Sequence, residues 1–154
     1  FDALISGEVL EHLKEDTAAI REFNRVLKIR GVCIVTVPTI YKSWDTYDDI
    51  AGHIRLYNED GLINLFESNG FKVEKIKYWG FPVMRFYHRY IFLFWANRIK
   101  HKSSEDIKNY FITKIGINNI ISHLGAFLFS IDNIFYLPRF SIGMIVRARK
   151  VIDV

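Results

Sequence analysis

Two histidines and a pair of glutamates stand where this chain could do acid-base or ligand chemistry. Glu8, Glu11 and His12 form an E-x-x-E-H string. His53 follows in a polar stretch, Thr39 to Tyr57, that also holds Trp44, Tyr41, Tyr47 and three aspartates. An imidazole titrates near neutral pH, so His12 and His53 can each accept a proton from a hydroxyl. The structural alternatives are that His12 orients its own loop against Glu11 and that His53 is a surface loop residue. Long loops inside compact domains often carry function, which favours the stretch around His53. Cys33, the only cysteine, lies within an apolar run, which excludes a disulfide framework and a thiolate metal cluster.

The elements that must position these residues are legible in the hydrophobic pattern. Phe1 to Ser6 is a short apolar run that predicts a strand. A helix follows, capped by Asp16 or Thr17, with Ile20, Phe23 and Leu27 on one face and Gly31 as a left-handed stop. Val32 to Val37 is continuously apolar, as a strand buried on both faces would be, and Pro38 ends it. Strand, helix and strand of these lengths predict a parallel crossover. Asn58 opens another helix with Leu62, Leu65 and Phe66 on its inner face, and Asn69-Gly70 closes it. Phe71 to Tyr78 predicts a strand whose alternation slips near Glu74-Lys75, the mark of a bulge. Ile142, Met144, Val146 and Ala148 alternate along a last, antiparallel strand. Between these two strands, Phe81 to Arg139 predicts a helical insertion. Its first helix lies near Met84 to Ile99, a capping box at Ser103 to Asp106 opens a second, and a third runs from about Asn119 to before Pro138.

The stretches FDALISGEVLEHL, REFNRVLKIRGVCIVTVP and HIRLYNEDGLINLFESNGFKV, in that order, resemble the second half of class I S-adenosylmethionine-dependent methyltransferases. PRFSIGMIVRARK resembles the final strand of many small-molecule members. Ile29-Arg30 departs from the family's usual Pro-Gly before Gly31, on a turn away from the site. The resemblance implies an α/β fold, a partial Rossmann-like sheet of strands 4, 5, 7 and 6 with an aromatic-rich helical insertion before the last strand. The expected layout is one incomplete domain over 1–154, with core elements at 1–79, the insertion at 80–139 and the last strand at 140–150. On this expectation the chain opens in mid-fold, without the glycine-rich loop and the acidic residue that hold S-adenosylmethionine, and is inactive by itself. Ser6, Gly7 and Glu8 would pass beside the methionine part of the cofactor. Methyl transfer from a sulfonium is an in-line displacement that needs alignment, and a base when the acceptor is a hydroxyl, a role the resemblance offers to His12 and His53. The E-x-x-E-H string with His53 also resembles metal-dependent O-methyltransferases of quinone and small-RNA pathways, whose ligands suit Mg²⁺ or Mn²⁺. The same letters occur in metal-free relatives, and the sequence assigns no metal.

Charge and greasiness divide the chain. Residues 1–79 carry a net −3 and residues 80–154 a net +7, within a total of +4. The basic part is also the apolar one, with YIFLFWA at Tyr90 to Ala96, too short to span a membrane. A substrate lid, extra core or a helix lying in a membrane surface all fit residues 81–139. The positive charge forms no Lys/Arg-rich stripe, so nucleic acid is not an expected partner. The function expected is methyl transfer to a small or lipid-like acceptor at oxygen, in the cytoplasm and with peripheral membrane contact as an option. The alternative is a non-catalytic membrane-associated binding module.

Overall fold

The computed structural model describes residues 1–92, 94, 127, 130–135 and 137–154. Four strands form one sheet: β1 (Ala3–Gly7), β2 (Val32–Pro38), β3 (Phe71–Trp79) and β4 (Gly143–Lys150), in the order β1-β2-β4-β3. β1 and β2 run parallel, joined by helix α1 (Asp16–Val26), so both end on the same edge. β4 inserts antiparallel between β2 and β3, as its alternation predicts, and the β3–β4 register shifts between Val73 and Lys75. The α/β class and the crossover are those expected from the sequence.

One face of the sheet is dry. Cys33, Val35 and Val37 of β2 and Met144, Val146 and Ala148 of β4 join Ile20 and Leu27 from α1 and Leu62 and Phe66 from α3 (Glu59–Glu67) in one buried cluster. Asn58 caps α3 by accepting from the Gly61 amide at 2.7 Å, and Gly70, at φ 80°, supplies the left-handed exit.

Three expectations are corrected. β2 is buried on one face only: Val32, Ile34 and Thr36 are half-exposed, and beside them on β1 Ile5 is 77% exposed. Neither Asp16 nor Thr17 caps α1; Glu15 holds that place without a side-chain bond. Asp16 lies inside the helix because its carboxylate is used elsewhere, accepting from Arg55 at 2.5 Å and the Tyr57 hydroxyl at 3.0 Å. The left-handed residue after α1 is Arg30, at φ 71°, and Gly31 is required for a different reason: a Cβ there would lie 2.8 Å from the Lys28 carbonyl oxygen.

The insertion is described in part. α4 (Val83–Phe86) runs on into a wider π-type turn, Tyr87–Phe92. The buried Asp132 side chain accepts from the Val83 and Met84 amides at 2.7 and 2.9 Å, and so caps α4 from a distance of 49 residues along the chain. The remainder of the first expected helix, the capping box at Ser103 to Asp106 and most of the third helix lie outside the described residues. No helix among the described residues is long and apolar enough to cross a membrane.

Candidate active site

The site is built from the two loops that leave β1 and β2 on their shared carboxyl edge. After β1, Glu8 takes a left-handed turn at φ 51°, its amide bonded to the carbonyl and hydroxyl oxygens of Thr36 at 3.0 and 3.2 Å. A short 3-10 turn, Leu10–His12, then points Leu10 and Glu11 inward, both with no exposed surface. After β2 the chain makes a turn at Ile40–Lys42 and enters helix α2 (Thr46–Ala51) through a full capping box. The Asp45 side chain accepts from the helix, and that of Asp48 accepts from the Asp45 amide. Gly52, at φ 77°, ends α2 and delivers His53.

Backbone bonds lace the two loops together. The Ile54 amide donates to the Glu11 carbonyl at 2.9 Å, and the Tyr57 amide to that of Pro38 at 3.1 Å. The buried Tyr57 hydroxyl reaches the Leu10 carbonyl at 3.1 Å. His12 and His53, 41 positions apart in sequence, therefore stand with ring centroids 4.9 Å apart.

Each imidazole is pinned by Nδ1. That of His12 donates to the Gly52 carbonyl at 3.1 Å and that of His53 to Asp48 Oδ1 at 2.6 Å. A ring that donates through Nδ1 keeps its lone pair on Nε2. Both Nε2 atoms lie 3.9 Å from the same oxygen, Glu11 Oε1, and neither Glu11 oxygen has a hydrogen-bond partner. Burial pushes the Glu11 carboxyl up to about 7; its own backbone pulls the other way, the charge of nearby Glu8 adds to the rise, and His12 opposes it. Three lone-pair atoms thus converge within 4.8 Å of one another. A proton on Glu11 or a divalent cation among the three would satisfy them. Imidazoles whose second nitrogen is held by a carbonyl or carboxylate are what a metal ligand set requires, so these residues fit a cation.

Asp48 is fully buried, and burial works against its charge. Lys42, at 2.5 Å, the Asp45 amide and His53 outweigh that and hold the Asp48 carboxyl below the usual carboxylate range.

Against this cluster opens a cavity of about 230 Å³. Its apolar walls include Trp79, Met84, Tyr87 and Ile142, and Glu8, Lys42, His53 and His88 bring it polar atoms. Trp79 reaches the wall because its indole lies flat over Gly143, where a Cβ would come within 2.4 Å of the ring.

Of the residues read from the sequence, the structure brings Glu11, His12 and His53 together. It places His53, with a side chain only 3% exposed, on the cavity wall, which rules out its being a surface loop residue. His12 is 37% exposed and stands behind His53, away from the cavity wall. Ser6 and Gly7 end β1 beside Val35 and Thr36, and Glu8 lines the cavity. Sequence reasoning missed Lys42, Asp48 and Trp79. The signal for Asp48 was present, since Asp45 and Asp48 have capping-box spacing just ahead of Gly52-His53.

Residues 1–76 match a family model described as a methyltransferase domain. No curated protein matches the chain. Solved structures share its fold: a SAM-dependent methyltransferase from Archaeoglobus fulgidus (14% identity, 97% of this chain and 59% of that one, TM-score 0.54) and the cyclase SpnF (18%, 99% and 50%, 0.54). Phosphoethanolamine N-methyltransferase 2 from Haemonchus contortus, solved in complex with S-adenosyl-L-methionine, is a third (19%, 99% and 34%, 0.51). The chain spans between about a third and three fifths of the length of these three. The resemblance carried by FDALISGEVLEHL and the stretches after it is thereby shown: the chain is class I methyltransferase-like, with that Rossmann-like sheet.

The raised carboxyl of Glu11 has a consequence for stability. Its folded-state value, about 7, lies above the ordinary 4.5, so the folded protein retains a proton that the unfolded chain releases. That stabilisation is complete below about pH 4.5 and is lost as pH rises through about 7, by ~3 kcal/mol in all. In chelator-treated protein, Glu11→Gln should flatten this fall, and urea denaturation between about pH 5 and pH 8 measures it. A wild-type midpoint that does not decline more than the variant's would contradict the assignment.

Proposed function

We propose that the protein transfers a methyl group from S-adenosylmethionine to an oxygen of a small or lipid-like acceptor held in the 230 Å³ cavity, with His53 as the base. The observation that carries this is the buried His53 ring on the cavity wall, its Nδ1 held 2.6 Å from Asp48 Oδ1, which leaves Nε2 as the ring atom that can accept a proton. The methyltransferase-domain match over residues 1–76 and the solved relatives support the reaction class. Bound S-adenosylmethionine would supply an electrophilic methyl group. The protein's own part is to hold the acceptor hydroxyl against His53, exclude water behind Trp79, Met84 and Tyr87, and take the proton on Nε2. In the complete enzyme His53→Ala should lower kcat by ~10²-fold or more with little change in cofactor affinity. The same change at His12, which stands off the cavity, should cost less in a metal-free assay, and equal losses would return the role to both histidines.

Ser6, Gly7 and Glu8 form one wall of the cofactor site in this reading, at the bare carboxyl end of β1. The open edge of β1 supports further strands of the complete polypeptide pairing there, and the exposed Ile5 with the partly exposed Val32 and Ile34 supports helices covering this face. The glycine-rich loop and ribose-binding acid would come with them. The chain as given should then show no saturable micromolar binding of S-adenosylmethionine by calorimetry, because several charged hydrogen bonds of roughly 1.5 to 3 kcal/mol each are missing. Tight binding would overturn the incomplete-domain reading.

One observation favours a metal-assisted version, in which Glu11, His12 and His53 hold Mg²⁺ or Mn²⁺ and the cation supplies charge to the acceptor oxygen. It is the unpartnered Glu11 carboxylate facing two Nε2 lone pairs. Titrated Mn²⁺ should raise the unfolding temperature of the wild type and not of Glu11→Gln, and EDTA should abolish turnover. Activity indifferent to EDTA leaves the proton on Glu11 as the neutralising group.

The insertion's contact with a membrane surface rests on Phe86 and Tyr90, which are 64% and 59% exposed with rings 4.5 Å apart, and on Arg89 and Arg139. Arg85 takes no part in it, since its guanidinium donates to the carbonyls of Phe140 at 2.9 Å and Tyr41 at 3.3 Å. If the sequence upstream of Phe1 encodes no glycine-rich strand and loop, the rival reading as a non-catalytic membrane-associated module gains.

A further inference from the structure

We propose that Asp48 is a positioning residue that fixes the tautomer of His53, and that Lys42 holds Asp48 in place from the far side. The inference rests on the reading of His53 as the base and adds the groups that make it one. Asp48 lies in the first turn of α2 and has no exposed surface. A capping box needs only one carboxylate oxygen, and Oδ2 fills that need by accepting from the Asp45 amide at 2.9 Å. Oδ2 also accepts from Lys42 Nζ at 2.5 Å. The other oxygen, Oδ1, is free of any capping duty and lies 2.6 Å from His53 Nδ1.

Lys42 is itself 95% removed from solvent, its side chain 5% exposed, and its second contact is Asp45 Oδ2 at 3.7 Å. An ammonium in that position compensates a carboxylate that burial would otherwise neutralise. The ring of Tyr47 meets His53 edge-on at 5.5 Å, and the His53 amide donates to the Asp48 carbonyl at 2.9 Å, so the imidazole can neither swing nor flip without breaking contacts. The remaining groups that face His53 are Glu11 and His12, on the opposite loop. With Nδ1–H committed to Asp48, the free lone pair sits on Nε2, 3.9 Å from Glu11 Oε1, in a ring that lines the cavity. When Nε2 takes the acceptor's proton, the imidazolium forms one bond away from a carboxylate already in place, with no reorganisation required. Lys42, Asp48 and His53 thus form a line from the turn after β2 to the reacting proton, and α2 exists at this point of the chain to present its first-turn carboxylate to the residue just beyond its end.

The test uses the complete polypeptide labelled with ¹⁵N at histidine. Two-bond ¹⁵N–¹H spectra of the wild type in chelator should show His53 as the Nδ1–H tautomer, and Asp48→Asn should shift it towards Nε2–H. In kinetics, Asp48→Asn should lower kcat by ~10²-fold while KM changes by less than about threefold, and Asp48→Glu should recover part of the loss. Lys42→Met, which leaves the His53 contact intact, provides a second variant should Asp48→Asn fail to fold, and should reduce kcat in the same sense. A wild-type His53 found as Nε2–H, or an Asp48→Asn enzyme as fast as the wild type, overturns the positioning role. A rate unaffected by His53→Ala overturns the base reading itself, and the tautomer measurement separates that failure from the other.

Discussion

The carboxylate of Glu11 sets the terms for everything around it. A buried carboxylate without hydrogen bonds is among the least favourable things a protein can contain, and this one faces two imidazole lone pairs as well. Nothing local forces the arrangement, since Glu11 sits on a three-residue turn that could expose it. It is held inward by the lacing of the two loops: Ile54 on its own carbonyl, Tyr57 on the carbonyl of Leu10, and Leu10 driven into the core. Hydrophobic burial and backbone pairing thus fix a group that its own electrostatics would expel. Glu8, at φ 51° next door, is likewise held in a conformation that its own preferences disfavour.

The far half of the sheet completes this site from above. β3 ends at Trp79, whose indole needs the bare Gly143 of β4 beneath it. From there the chain turns into α4, capped by Asp132 and clamped by Arg85 to carbonyls of the turn after β2 and of the segment before β4. Met84 and Tyr87 are placed over the β2 end by these polar ties more than by a core of their own. The cavity is therefore a joint product of the antiparallel pair and the loop after β2, while Glu11, His12 and His53 come from the loops of the parallel pair.

The elements were legible because each carries its own periodicity. Ile20 and Leu27, Leu62 and Phe66, and the Met144–Val146–Ala148 alternation all point to one core, and the β3 bulge shows in its slipped phase. E-x-x-E-H and His53 contain the three residues, Glu11, His12 and His53, that the structure brings together. What the sequence concealed were choices between equivalent partners. Asp16 reads as a cap until Arg55 and Tyr57, 39 and 41 positions away, take its oxygens. Nothing in the sequence shows that Lys42 and Asp48 pair out of solvent, or that Arg85 reaches the carbonyls of Tyr41 and Phe140. The apolar run of β2 suggested two covered faces. That composition suits the complete sheet proposed above, while the described residues cover one.

Shared architecture does not carry the reaction with it. The same sheet underlies a methyltransferase and a cyclase among the solved relatives, at identities of 14% and 18% that speak for the fold alone. On this frame the loops at the carboxyl edge hold His53 against Asp48, which is itself paired with the buried Lys42. A site that served only to bind an apolar ligand would gain nothing from burying Lys42, Asp48 and Glu11, and would bear the cost of desolvating them. A buried Lys42–Asp48 ion pair against His53, and a buried Glu11 beside two imidazoles, make sense where a proton or a cation must be held at a fixed point, and that is the physical ground for the function proposed above.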